Sequence, residues 1–273
     1  MKPLQVLSLG AGVQSSTLLL MSCHGDLPRL DHAIFADTQW ESAAVYAHLA
    51  WLREIAEAAG IPVHVVSKGS VRDAVVGGRG GMHIPVWVRK NGAVQITPRS
   101  CTDRFKIRPV KAAIRTILGL SKSARLPAGS VDLWFGISAD ELRRIRTPKE
   151  AWKRHVYPLV GLPRPMLPHP YSRDDCRTWL AEHCPSQLIP RSSCIGCPFH
   201  TNAEWRAVQA VPEEWANVVE VDRAIRHADG MHGEVFLHRD GVPLEDVDLR
   251  TDVDKGQGLL FGSDEECLGY CGT

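Results

Sequence analysis

The chain has 273 residues, 44% of them hydrophobic and 23% charged, with a formal net charge of +1. That length fits one large α/β domain with an appendage, or two small domains, and the composition is ordinary for a soluble globular protein. So small a net charge speaks neither for nor against a nucleic-acid partner, which only a local basic patch would attract. No stretch reaches the length of a membrane span, and the opening MKPLQVLSLGAG has no signal-peptide core, so the expected location is the cytoplasm.

In chain order, residues 4–9 read as a buried strand and 14–24 as a helix with Leu18, Leu19 and Leu20 turned inward. HAIFAD (32–37) is a second strand, a helix follows over about 42–59 and stops at Gly60, and PVHVV (62–66) is a third strand. VWVRKNGAVQI (86–96) reads as a hairpin turning at Asn91-Gly92. A helix is expected after Pro109, and VDLWFGIS (131–138) is another apolar strand. Prolines then crowd the extended GLPRPMLPHPYS, helices are expected over 172–183 and 202–228, and EVFLHRDGVPL near the end is strand-like. Trp51, Trp179, Trp205 and Trp215 sit at amphipathic helix spacing and belong in a core. Alternating strands and helices predict an α/β fold with a doubly wound, mostly parallel sheet. The division expected is a nucleotide-type domain over 1–160 and a helical, irregular, cysteine-bearing portion over 161–273.

The first strand-to-helix junction, VLSLGAGVQSSTLLLM (6–21), holds Ser8, Gly10, Gly12, Ser15, Ser16 and Thr17. A helix N-terminus offers free N–H groups and the positive end of its dipole, and glycines let the backbone approach an anion closely. The hydroxyls add donors. The junction suits a phosphate, although it lacks the lysine of a Walker loop and the spacing of a dinucleotide fingerprint.

SLGAGVQSST resembles the modified phosphate loop of the phosphoadenylyl-sulfate (PAPS) reductases, within the adenine nucleotide alpha hydrolase (PP-loop) superfamily. Ser8 matches the serine that opens that loop, and Gly12-Val13-Gln14 matches the step that closes it; the ATP-cleaving branch usually carries Asp where Gln14 stands. FADTQWE resembles the family's Asp-Thr strand end, Asp37-Thr38, which borders the nucleotide crevice. GISADELRR (136–144) resembles its Gly-x-x-x-Asp-Glu-x-x-Arg segment. The resemblance implies ATP or another adenine nucleotide bound by Ser8, Gly10, Gly12, Gln14, Ser15, Ser16, Asp37 and Thr38. Asp140 and Glu141 would hold a cation such as Mg2+ or a ribose, and Arg143, Arg144 and Arg146 a phosphate or sulfate.

Eight cysteines are many for a reducing compartment, where clustered thiols bind metal or do redox chemistry rather than build disulfides. Cys194 and Cys197 form a C-x-x-C before Pro198, a spacing that serves one metal centre or a redox pair. RSCTDRFKIRP (99–109) resembles the segment that carries cluster ligands in the iron–sulfur branch of the reductases, with Ser100-Cys101 where that branch has two cysteines. Cys101, Cys194, Cys197 and one cysteine of EECLGYCG (265–272) then make four ligands for a 4Fe–4S cluster, with zinc as the competing occupant. Cys271 is favoured as the fourth, because Glu266-Cys267 resembles the family's Glu-Cys-Gly tail, where the cysteine is a mobile nucleophile. Cys23, Cys176 and Cys184 are expected in cores or on helix faces.

Three functions stay open. One is a sulfur-transfer enzyme that activates an acceptor, plausibly a nucleic acid, with an adenine nucleotide and an unidentified sulfur or electron donor. The second is a sulfonucleotide reductase releasing sulfite, with Cys267 as nucleophile and Asp140 and Arg144 assisting. The third is a non-catalytic nucleotide-binding module with structural zinc. The run 141–159 interleaves Arg143, Arg144, Arg146, Lys149, Lys153 and Arg154 with Trp152 and Tyr157, which suits a polyanion as well as it suits a solvated helix face.

Overall fold

The computed structural model describes residues 2–77, 83–121, 124–251 and 254–256, and five parallel strands run through its centre. They are β1 (Leu4–Leu9), β2 (His32–Asp37), β3 (Val63–Ser67), β6 (Val131–Trp134) and β7 (Lys153–Val156), in the spatial order β3-β2-β1-β6-β7. Their apolar runs bury both faces, as an all-parallel sheet requires. Leu7, Leu9, Ala33 and Phe35 face a core completed by α1 (Val13–His24), α2 (Ala43–Ala58) and α5 (Arg173–His183). Val6, Ile34, Val131 and Leu133 face the other way, onto Val110 and Ile114 of α4 (Arg108–Ile117). Leu18, Leu19 and Leu20 are fully buried, as their spacing predicts.

The chain leaves β1 toward β2 and β3, then crosses back to lay β6 and β7 on the other side of β1. The order therefore reverses between β1 and β6. A crevice opens at such a switch point beyond the carboxyl ends of the strands, because the flanking connections depart in opposite directions.

A second, three-stranded sheet, β5-β4-β8, joins β4 (Trp87–Lys90) and β5 (Ala93–Ile96) to β8 (Glu234–Phe236), and so draws on both sides of residue 160. The hairpin turns at Asn91 (φ 51°) and Gly92 (φ 80°), residue types that tolerate the left-handed region. Trp205, Val218, Val221, Phe105, Ile195 and Val235 form the core here, together with α3 (Val71–Val76), α6 (Asn202–Gln209) and α7 (Pro212–Ala224).

Three expectations shift. The helix foreseen over 202–228 is two, α6 and α7, because Pro212 lacks the N–H and clashes in a helix interior but fits the first turn of a new one. The helix foreseen after Pro109 begins earlier, as a π-helical turn over Thr102–Ile107 that runs into α4. Its change to tighter hydrogen bonding falls near the residue that has no N–H to donate. The strand foreseen to 138 ends at Trp134, where the backbone turns off to form a cleft wall. Among the described residues, no helix is long and apolar enough to cross a membrane.

Asp222 of α7 ties this second layer together. Its buried carboxylate accepts the N–H groups of Leu237 (2.8 Å) and Leu244 (3.1 Å) and pairs with Arg226 (2.5 Å). Removing it strands two buried N–H groups and a buried guanidinium. Asp222→Ala is expected to cost about 3–5 kcal/mol in urea denaturation. A loss below about 1 kcal/mol would show that the carboxylate is not this hub.

Candidate functional site

The turn after β1 is shaped by two left-over constraints of the backbone. Ala11, fully buried between Gly10 and Gly12, adopts φ 56°, a left-handed conformation that costs a non-glycine residue roughly 1–2 kcal/mol. A left-handed residue at this place bends the backbone in the way that can present N–H groups to an anion. Gly12 then starts α1 in an extended conformation with no side-chain cap, and the first helical hydrogen bond runs from Ser16 N–H to Gly12 O at 2.9 Å. The N–H groups of Val13, Gln14 and Ser15 precede that ladder and point out of the helix start. Ser15 Oγ accepts from Gly10 N–H (3.2 Å) and donates to Gly12 O (3.3 Å), which fixes the loop.

This loop floors a cleft of about 490 Å³ at the switch point. Ser8, Gly10, Gly12, Gln14 and Ser15 line it, with Phe35 and Ala36 of β2 and Phe135, Gly136 and Ile137 after β6. A Cβ on Gly136 would lie 2.7 Å from Ser15 N and 3.0 Å from Gln14 C, so the close fit of this wall against the loop requires glycine. Gln14 spans the same contact, donating through Nε2 to Ser138 Oγ (3.2 Å) and Glu141 Oε2 (3.0 Å). Opposite, Ser192 covers the glycines: a Cβ on Gly12 would meet Ser192 Cβ at 3.0 Å.

Eight Lys and Arg side chains line the cleft against three Glu. The glutamates hold the cations in place: Glu141 binds Arg144 (2.6 Å) and Arg173 (3.4 Å), Glu204 binds Arg191, and Glu41 binds Lys106 (3.6 Å). Outside the lining, Glu150 pairs with Lys111 and Lys153 and Asp174 pairs with Arg177; the cations still outnumber these acids, which favours an anion. Lys153, almost fully buried, has its ammonium pKa lowered by burial and by neighbouring Lys111, with Glu150 (3.3 Å) opposing the shift. Phe135, His155 and Tyr157 make an aromatic wall; the Phe135 and Tyr157 rings stack with centroids 5.8 Å apart. His155 Nδ1 donates to Arg146 O (2.8 Å), which leaves Nε2 as a buried acceptor with no hydrogen-bond partner among the described residues.

The thiols sit beside the wall formed by Glu41 and Lys106. Residues 40–41 pair with 194–195 through an isolated bridge, with Ile195 N–H donating to Trp40 O at 2.9 Å. Gly196, inside the C-x-x-C, lies under the Trp40 ring; a Cβ there would fall 2.2 Å from the indole. Cys194 Sγ contacts Thr38 Oγ1 (3.3 Å) and Glu41 Oε1 (3.8 Å). Burial, then the Glu41 carboxylate, push the Cys194 thiol pKa well up, while Lys106 opposes the shift. Cys101, at the start of the π-helical turn, packs on the same apolar cluster as Cys194 and is close enough to act on it electrostatically. Cys197 follows one turn after Cys194, its N–H on Cys194 O at 3.1 Å. Cys267 and Cys271 lie outside the described residues.

Not every sequence-selected residue reaches the cleft. Ser16 is fully buried, and its Oγ takes a hydrogen bond from His48 Nε2 (2.9 Å) between α1 and α2. Asp37 turns to the start of α2, accepting from Gln39 N–H (2.7 Å) and Tyr46 OH (2.8 Å). Thr38 faces the thiols rather than the cleft. Asp140 accepts Arg173 N–H (3.2 Å) at the start of α5, whereas its neighbour Glu141 lines the cleft with Arg144. The residues that sequence reasoning left unmarked are Glu41, Lys106, His155, Arg173, Arg191 and Ser192. Their signal was adjacency: Glu41 closes FADTQWE, Lys106 lies in RSCTDRFKIRP, and Arg191-Ser192 lead into the C-x-x-C. Cys176 is buried, its thiol pKa pushed up to about 12 by burial, and Cys23 and Cys184 are half-buried against the main core.

No protein-family model and no curated protein sequence matches the chain. Among solved structures it is similar to phosphoadenylyl-sulfate (PAPS) reductase from Candida auris, solved as a phosphate complex. That similarity has 13% sequence identity and a TM-score of 0.39, and covers 70% of this chain and 75% of that one.

Gly136→Ala is expected to displace the anion loop and weaken phosphate or nucleotide binding by about tenfold or more, read by calorimetry, with the fold retained in circular dichroism. Unchanged affinity would refute the tight apposition. The second expectation concerns pH. Burial lowers His48 and His238 to about 4, while unfolded histidines titrate near 6.5. The stability they contribute is complete above about pH 6.5 and is lost as pH falls toward 4, because only the unfolded chain takes up protons in that window. His48→Gln is expected to shrink the loss measured by urea denaturation between pH 7 and 5; an identical loss would exclude His48 as a source.

Proposed function

We propose that the chain is a PAPS-reductase-like PP-loop enzyme that binds an adenine nucleotide in the switch-point cleft and transfers sulfur by means of a four-cysteine iron–sulfur cluster. The observation that carries this reading is one shared wall. Glu41 lines the anion cleft and also touches Cys194, and Lys106, which lines the same cleft, pairs with Glu41 and acts electrostatically on that thiol, so a bound nucleotide and the thiols would act across a single pair of side chains.

In this reading the N–H groups of the loop and the surrounding cations hold the nucleotide's phosphates and stabilise charge that develops on them. An acceptor oxygen attacks the α-phosphorus and pyrophosphate leaves; sulfide-level sulfur from a separate donor then bonds to the activated acceptor carbon as its C–O bond breaks and AMP departs with that oxygen. The cationic excess and the wall of Phe135, His155 and Tyr157 support a nucleic-acid acceptor, since both phosphate contacts and stacking surfaces are present. Cys101, Cys194 and Cys197 would hold the cluster together with Cys271. When bound, such a cluster would supply a soft, redox-active iron–sulfur centre beside the cleft.

Cys101 and Cys194 pack on one apolar cluster and Cys197 follows Cys194 by one turn, which supports a shared metal centre; its occupant, iron–sulfur cluster or zinc, is decided by the metal content of the purified protein. The upward shift of the Cys194 thiol pKa beside Glu41 also fits a thiol that ionises only when a cation arrives.

The test is anaerobic purification with iron and sulfide analysis, followed by a nucleotide assay. The expected result is a brown protein with about four irons per chain, lost in Cys101→Ser, Cys194→Ser and Cys197→Ser. Pyrophosphate release that depends on added RNA or DNA is expected with ATP. Sulfite release from adenylyl sulfate that vanishes in Cys267→Ser would instead establish the reductase reading, and zinc without iron would sink the cluster.

A further inference from the structure

At the far end of α1 from the anion loop, about 18 Å along a 12-residue helix, lies a group of donors that the proposed chemistry does not use. Among the described residues, His24, Asp26 and His183 are the one set of three His, Cys, Asp or Glu whose ligand atoms all fall within 4.8 Å of one another. We propose that they form a binding site for a first-row divalent cation such as Zn2+, separate from the thiols and independent of the sulfur-transfer reading.

Three features beyond proximity carry this. First, the donors are pre-oriented. His183 Nδ1 donates to Trp179 O at 2.8 Å, which fixes the tautomer and leaves Nε2 to bind a metal, the role that outer hydrogen bonds play for metal-ligating histidines. Its ring also stacks on Trp179, with centroids 4.0 Å apart and planes 10° from parallel. His24 leans on the same indole at 5.6 Å, so one rigid tryptophan sets both imidazoles.

Second, the field is right for a cation. His24 is the last residue of α1, and His183 is the last residue of α5. Two helix C-termini therefore converge here, each bringing the negative end of its dipole, and Asp26 adds a full negative charge just beyond the Gly25 cap. Third, the donor chemistry is selective. Two imidazoles and one carboxylate suit zinc, cobalt, nickel or iron rather than magnesium or calcium, and three protein ligands leave a coordination position open to water. All three side chains are exposed and can close the last ångström or so to bonding distance. A bound ion would clamp the end of α1 to the end of α5, and so brace from behind the helix whose other end carries the anion loop.

Cobalt distinguishes this site from the thiols, because thiolate ligands give an intense near-ultraviolet charge-transfer band that nitrogen and oxygen ligands lack. The full-length chain, freed of metal by chelation under argon, is titrated with Co2+ and followed by absorption and thermal unfolding. We expect about one equivalent, beyond any that the thiols take up with thiolate charge transfer, to bind with the visible bands of nitrogen and oxygen ligands and to raise the midpoint of unfolding. His24→Ala, Asp26→Asn and His183→Gln should each weaken this binding about tenfold or more, while Cys194→Ser leaves it intact. The surface position of the three residues means that the metal-free variants should unfold at the wild-type temperature. Cobalt uptake that is abolished by Cys194→Ser, uptake untouched by His183→Gln, or no uptake of this spectral type would each overturn the site.

Discussion

The seating of residues 192–197 against the turns after β1 and β2 is the constraint on which the rest of the site depends. Ser192 lies on Gly12, Ile195 pairs with Trp40, and Gly196 fits beneath the Trp40 indole, which is held in turn by Asn217 through its N–H at 2.8 Å. A methyl group at any of these glycines would separate the surfaces. Because one short segment closes both the anion loop and the thiol wall, the two cannot be displaced independently. The hairpin strengthens the same seat, since Trp87 Nε1 donates to Pro198 O at 3.1 Å.

Electrostatics divides the site into two environments. In the cleft, cations outnumber the glutamates that position them, so the free energy of an incoming polyanion is lowered before any specific contact forms. At the thiols the balance is opposite. Cys194 is half-buried beside the Glu41 carboxylate, whose Oε2 is buried without a hydrogen-bond partner among the described residues. A buried carboxylate oxygen left without a partner is costly, and Lys106, reaching Glu41 from the π-helical turn, offsets part of that cost. Lys106 thereby links the charge state of one environment to that of the other.

Rigidity behind the loop comes from a buried polar chain. Gln187 donates to His48 Nδ1 (3.3 Å), and His48 Nε2 donates to Ser16 Oγ (2.9 Å), a direction that requires a neutral imidazole. The chain connects the start of α1 to α2 and to the loop that leads into Ser192 and Cys194. Ser16 thus serves the loop from beneath, as a support rather than as a donor to the anion.

Local chemistry in the sequence determined a good deal. Alternating apolar runs and turn residues specify the strands, Asn91-Gly92 the hairpin, and the glycines and hydroxyls after β1 the tight strand-to-helix loop, because each depends on neighbours a few residues apart. Pro212, a breaker in its own right, was legible too, yet the amphipathic run around it hid the break. What only the tertiary structure decided are the meetings across long separations. These include β8 joining β4, Gly136 lying against Ser15, Glu41 and Lys106 shared by cleft and thiols, and two helix ends bringing His24 to His183. No spacing rule in one dimension encodes them, since each is set by where the twisted sheet and its packed helices deliver their ends in space.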